Sequence, residues 1–161
     1  MAESALAETA KEPTAGVTRG LLSELLGYHL RRAQVAIFKH FCQTVGAAEN
    51  ITPGLLGMLE MISSNPGLSQ SRLAEAMEVD RSTIVTTIDQ LEGRGFVIRG
   101  RSPTDRRSYC LELTGKGRAA IRRMEVSALR HEEDFAAHLT GREREELIRL
   151  LVKLYTGRDR Q

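Results

Sequence analysis

Residues 68–117 leave the chain little freedom. Two short helix patterns, a glycine-bearing stop and a basic hairpin follow one another with no room for any other element between them. Ser69 is a capping residue ahead of Leu73, Ala76 and Met77, apolar positions at helical spacing. A helix that short is not stable alone. Glu78, Val79 and Asp80 read as a tight turn, with Asp80 placed to accept hydrogen bonds from the backbone N–H groups that open the next helix, 81–92. Gly93, Arg94 and Gly95 then end it.

Advancing about 100° per residue separates this second helix into two faces. Ile84, Ile88 and Leu91 fall on one side; Ser82, Thr83, Thr86 and Gln90 fall across or near the other, beside Arg81 at the helix start. Short polar side chains suit the major groove, where hydroxyls bond several bases, threonine methyls meet thymine methyls and glutamine reads adenine. A solvated surface helix has the same composition, so the helix alone leaves both readings open.

The hairpin adds a direction. Residues 96–99 and 108–113 are β-prone, and the turn-rich segment between them has a charged tip. From 94 to 107 the chain carries Arg94, Arg99, Arg101, Arg106 and Arg107 against the single acid Asp105, whereas the whole protein has a net charge of only +2. Charge focused in this way is expected of a part that meets phosphates or enters a narrow, electronegative minor groove. Helix, turn, helix and basic hairpin together imply a winged helix-turn-helix directed at duplex DNA, in a mainly α chain with a small β-hairpin wing.

Long amphipathic patterns flank this block. Residues 21–45 carry Leu22, Leu25, Leu26, Leu30, Ala33, Ile37 and Phe41 at helical steps, with a break expected over 46–50. Thr52 and Pro53 start a further helix that stops near Asn65. After the hairpin, Thr114 caps a helix with the stripe Ile121, Met124, Ala128, Phe135 and Leu139; a capping box at Thr140 and Glu143 launches the last one, with Leu147, Ile148, Leu151, Leu154 and Tyr155. The outer helices, 19–45 and 118–157, lie on either side of the reading block 52–117, and pairing them between two chains buries their apolar stripes most simply. Residues 1–18 lack a stripe of large apolar residues and read as a mobile tail, leaving 19–157 as a single domain. Without a basic start followed by a long apolar run, the chain is expected in the cytoplasm, away from membranes.

Leu73 and Ala74, the run 82–85, the run 91–97, Asp105 to Arg107, and Leu113, Thr114 and Gly117 together resemble the MarR (multiple antibiotic resistance regulator) family of bacterial transcription factors. The resemblance spans about 21–155. It implies a two-fold dimer held by the N- and C-terminal helices, whose recognition helices stand one DNA turn apart on a palindrome. It further implies that Asp105 orients the wing, Arg107 enters the minor groove, and Arg101 and Arg106 lie near phosphates. Repression by promoter occupancy is the family expectation, relieved by small aromatic acids or by cysteine oxidation.

Tyr28, His29, Arg31, Arg32, Lys39 and His40 lie among apolar residues, a mixture able to pair a carboxylate or phosphate beside an apolar body; a solvated basic face fits as well. Tyr28, His29, Arg32 and Phe38 are the candidate ligand residues, for an aromatic carboxylate or its coenzyme A thioester. Cys42 and Cys110 show no metal-ligand spacing, nor do His131 and His138 on one helix face supply enough ligands, so no metal and no cofactor is expected. Cys42, near Lys39 and His40, is the candidate for oxidation sensing, the alternative to a ligand. No nucleophile elbow, phosphate-binding glycine loop or paired-histidine helix supports an enzyme. A sequence-tolerant architectural DNA-binding protein remains the other class, against which the polar face of 81–92 argues.

Overall fold

The computed structural model of the protein describes residues 17–101 and 109–157, the side chain of Arg101 excepted. Contacts divide the chain into two compact units, Met1–Val35 and Ala36–Gln161. The N-terminal tail therefore lies almost wholly outside the described residues.

The stripe over 21–45 is not one helix. A 3₁₀ turn, Gly20–Glu24, comes first, Leu25 is extended, and α1 (Leu26–Phe41) follows. Side chains satisfy the turn locally: Ser23 Oγ donates to the Gly20 carbonyl (2.8 Å), and His29 Nε2 donates to the Ser23 carbonyl (2.8 Å). Nor does the helical path break at Gly46. A π-helical turn, Cys42–Gly46, leads directly into the short α2 (Ala47–Glu49), and Asn50 in the left-handed region (φ 50°) makes the stop. Thr44 Oγ1 donates to the His40 carbonyl at 2.8 Å, which accompanies the widened turn. Gly46 allows a close approach there, since a Cβ would stand 3.0 Å from the Ile51 carbonyl oxygen.

Caps expected from sequence recur with their bonds made. Thr52 accepts from the Leu55 N–H at the start of α3 (Pro53–Ser64), Ser69 from that of Arg72 at α4 (Gln70–Ala76), and Thr114 from that of Gly117 at α6 (Gly115–Phe135). Asp80 differs. It occupies the cap position of α5 (Arg81–Gly93), yet its carboxylate makes no capping bond. In α4 the buried residues are Leu73 and Ala74 rather than Ala76, because this short helix is flanked by α3, α5 and the hairpin and turns Ala74 toward them. The ends of α4 and α5 are alike: Glu78 (φ 53°) and Gly95 (φ 70°) take the left-handed position, and the N–H of the residue after each returns to a carbonyl in the last helical turn.

Strands β1 (Val97–Arg101) and β2 (Tyr109–Leu113) pair antiparallel, Val97 opposite Leu113 and Arg101 opposite Tyr109. The Leu111 N–H bonds the Leu68 carbonyl at 2.9 Å, stitching the hairpin to the segment before α4. Helix α6 ends at Phe135, so Leu139 and His138 lie beyond it rather than on its stripe. Helix α7 (Gly141–Thr156) starts with the expected capping box.

Val45, Leu59, Leu73, Ile84, Ile88, Leu91, Leu111 and Met124 form the buried centre beneath α5. Helix α7 buries none of its residues, and Leu147, Ile148, Leu150, Leu154 and Tyr155 are exposed. Among the described residues no helix is long and apolar enough to cross a membrane.

Candidate nucleic-acid interface

Helix α5 is fastened from below and open above. Ile84, Ile88 and Leu91 are completely buried, whereas Arg81, Ser82, Thr83, Thr86 and Gln90 are exposed, as the periodicity requires. The threonines are more specific than composition suggests. Thr86 Oγ1 donates to the Ser82 carbonyl (3.0 Å) and Thr87 Oγ1 to that of Thr83 (2.7 Å). With its proton turned back into the helix, the hydroxyl oxygen of each threonine keeps only acceptor capacity beside the side-chain methyl, exposed at Thr86 and half-buried at Thr87. Such a surface complements the amino groups of adenine and cytosine and the methyl of thymine.

Beside this face the hairpin is latched to α5. Arg99 of β1 pairs with Asp89 and, through Nη1, with Glu92, and its backbone N–H reaches Glu92 Oε1 at 3.1 Å. Gln70 of α4, in the amide orientation its neighbours require, accepts from Arg99 Nε (3.2 Å) and Nη2 (3.1 Å). Arg94 is likewise engaged, on the carbonyls of Glu49 and Asn50 (2.8 Å each) and over the Phe96 ring. Two of the five arginines counted between 94 and 107 thus have internal partners, Arg94 and Arg99, neither of them among the candidate DNA contacts. Arg101 closes β1 with its side chain outside the described residues, and Asp105, Arg106 and Arg107 lie wholly outside them.

The candidate ligand residues divide. Tyr28, His29 and Arg32 form a local cluster, with Arg32 Cζ 5.8 Å from the Tyr28 ring centre and the Tyr28 and His29 rings edge to face. Phe38, in the other unit, is 50% exposed. Cys42 is exposed on the π turn; Cys110 is buried on β2, with Sγ 3.8 Å from Glu112 Oε1.

One contact has no counterpart in the sequence reading. His131 of α6 is 4% exposed, and its Nδ1 lies 2.6 Å from Nδ1 of His40, the two rings stacked beside Phe135. A bond between two such nitrogens requires one to be an unprotonated acceptor. Burial and then the neighbouring His40 push the His131 pKa down, against weaker opposing pulls from Glu132 and Asp134. His138 takes no part, and among the described residues no cluster of three potential ligands could hold a metal. Ninety-one positions separate the pair, so no local pattern reveals it.

The sequence profile of the MarR family matches residues 51–109. A protein assigned as a transcriptional regulator for the hcr operon of Thauera aromatica is 49% identical over 146 residues, covering 91% of this chain and 88% of that protein. The transcriptional repressor CouR bound to a 23-mer DNA duplex superposes with a TM-score of 0.81 at 39% identity, over 86% of this chain and 98% of that one. CouR bound to p-coumaroyl-CoA gives 0.79 at 38% identity, over 86% and 97%.

Proposed function

This chain belongs to the MarR family of transcriptional regulators, and from that premise we propose that it is a cytoplasmic repressor whose homodimer occupies a palindromic operator until an aromatic acid or its coenzyme A thioester releases it. The observation that carries the reading is the acceptor-and-methyl face of α5 above a completely buried Ile84, Ile88 and Leu91. In this reading Ser82, Thr83, Thr86 and Gln90 meet base edges and Arg81 meets the backbone beside them. Arg107 enters the minor groove, Asp105 orients it, and Arg101 and Arg106 lie along phosphates.

The dimer is supported by apolar surface on α7 and on α6, where Val126 and Leu129 are exposed. An apolar face running the length of α7 is the wrong kind of surface to leave in water. Tyr28, His29 and Arg32 supply an aromatic and cationic cluster suited to an acyl group ending in a carboxylate or carrying phosphates. The likeness to a repressor solved with a coumaroyl thioester favours that class of effector. The proposed cycle calls for no cofactor.

Nuclease protection tests the core of this. A palindromic duplex protected at moderate salt, beside an unprotected scrambled duplex, is the expected result; equal protection of both makes the protein an architectural binder instead. Adding p-coumaroyl-CoA or a free aromatic acid is expected to abolish the footprint. A Cys42→Ser, Cys110→Ser protein that still responds excludes oxidation as the signal.

A further inference from the structure

Arg94 ends two helices at once. Its backbone is the C-terminal cap of α5, with its N–H on the Gln90 carbonyl before the chain turns at Gly95. Its side chain runs the other way and closes α2. Nη1 donates to the Asn50 carbonyl and Nη2 to that of Glu49, both at 2.8 Å, where the left-handed Asn50 has stopped the helix and left its last carbonyls without continuing partners. The guanidinium lies 4.6 Å from the centre of the buried Phe96 ring, and Lys116 Nζ donates to the Arg94 carbonyl at 2.7 Å. Glu49 in turn sends its carboxylate to Arg123 of α6, at 3.1 and 3.2 Å. An unbroken set of charge-assisted bonds therefore runs from the end of α5, through the end of α2, to α6.

A phosphate-binding arginine keeps its fork of donors turned to solvent, whereas both terminal nitrogens of Arg94 are committed to backbone carbonyls. Two bonds from one planar group also fix direction as well as distance. We infer that Arg94 is a positioning residue that fixes the axis of α5 against α2 and α6, and thereby sets the half-site spacing that the dimer accepts. This rests on the dimeric, operator-binding reading above. In a two-fold dimer both reading helices tilt together, so a loosened clamp acts twice on their separation. Half-sites about 34–36 Å apart correspond to about 10–10.5 base pairs, so one base pair added or removed moves the target by about 3.4 Å and rotates it around the duplex. An isolated half-site feels none of this.

The test uses a palindromic duplex recovered by the wild-type protein from a randomised pool, the same duplex with one central base pair added or removed, and a single half-site. Fluorescence anisotropy reads wild type, R94A and R94K on each, with thermal unfolding of every variant alongside. Wild type is expected to discriminate against the altered spacings by about tenfold or more. R94A is expected to hold the half-site within about twofold of wild type, lose about tenfold on the native palindrome, and discriminate between spacings by no more than about threefold. Its salt dependence should match wild type, since no phosphate contact is lost. R94K, with a single ammonium and no fork, should fall between. Equal losses on half-site and palindrome, retained spacing preference, or a salt slope reduced by about one overturn the inference. If R94A is too unstable to assay, wild-type discrimination by R94K overturns it. A wild-type protein indifferent to palindromes overturns the functional reading as well, and is distinguished by that indifference.

Discussion

Gly117 and His131 are buried for opposite reasons. Gly117 sits in the first turn of α6 with its N–H on Thr114 Oγ1 (2.9 Å), and a Cβ there would stand 2.0 Å from the Phe96 carbonyl oxygen. That oxygen accepts from the Thr114 N–H at 3.0 Å, so it cannot retreat without breaking the junction between hairpin and helix. Gly117→Ala should therefore destabilise the protein by at least about 3 kcal/mol, read by chemical denaturation; a loss within about 0.5 kcal/mol would mean that the junction moves freely. His131 costs stability only when it is charged. Its pKa is lowered in the folded protein, chiefly by burial, so the unfolded chain binds the proton more readily. Its contribution is fully present above the ordinary histidine value near 6.5 and is lost as pH falls through the lower folded value. The melting temperature should accordingly drop between about pH 7 and pH 5, and His131→Asn should flatten that drop. An unchanged pH profile in the variant would assign acid sensitivity elsewhere.

At the scale of the element, α5 carries the clearest division into a buried and an exposed polar face. Thr86→Ala or Gln90→Ala should change which operator variants are preferred, by about 1–3 kcal/mol where a good base contact is lost. An even loss across all sequences in a competition binding assay would make these side chains positional. Period sufficed here, although Asp80 makes no capping bond, because Ile84, Ile88 and Leu91 face a core while the polar residues have none to face. The same logic located α3, α4, α6 and α7 through Thr52, Ser69, Thr114 and Thr140. It failed over residues 21–50, where apolar spacing reports which face is greasy but not how the backbone closes each turn. Ser23 and Thr44, each bonding a nearby carbonyl, accompany a 3₁₀ turn and a π turn within one continuous stripe. Charge counting had a similar limit. A count of charge over 94–107 does not distinguish Arg94 and Arg99 from the other arginines, and only tertiary contacts with Glu49, Asn50, Asp89 and Glu92 give them internal partners.

On the proposed reading the whole molecule has to do two incompatible things, hold DNA as a dimer and release it on binding an effector, and thermodynamics restricts how. The exposed apolar face of α7 is the first requirement. Polar substitutions at Leu151 and Leu154 should dissociate the dimer, measured by light scattering, and weaken palindrome binding far more than half-site binding. Release is the second. An effector that bound the DNA-competent and the released dimer equally well would shift nothing, however tightly it bound, so it must favour a dimer whose α5 helices no longer match adjacent major grooves. The coupling is then reciprocal: if p-coumaroyl-CoA lowers operator affinity by some factor, the operator lowers p-coumaroyl-CoA affinity by that same factor. A coupling of about 1–3 kcal/mol, roughly 5- to 150-fold, lies within reach of one ligand. Arg32, beside the Tyr28 ring in the N-terminal unit and remote in sequence from the reading helix, separates the two legs. Arg32→Ala should weaken effector binding by about tenfold or more while changing operator affinity in the absence of effector by less than about twofold. Calorimetry of both legs checks this, and a variant that loses operator and effector affinity together would place Arg32 in the scaffold of the dimer instead of in its ligand site.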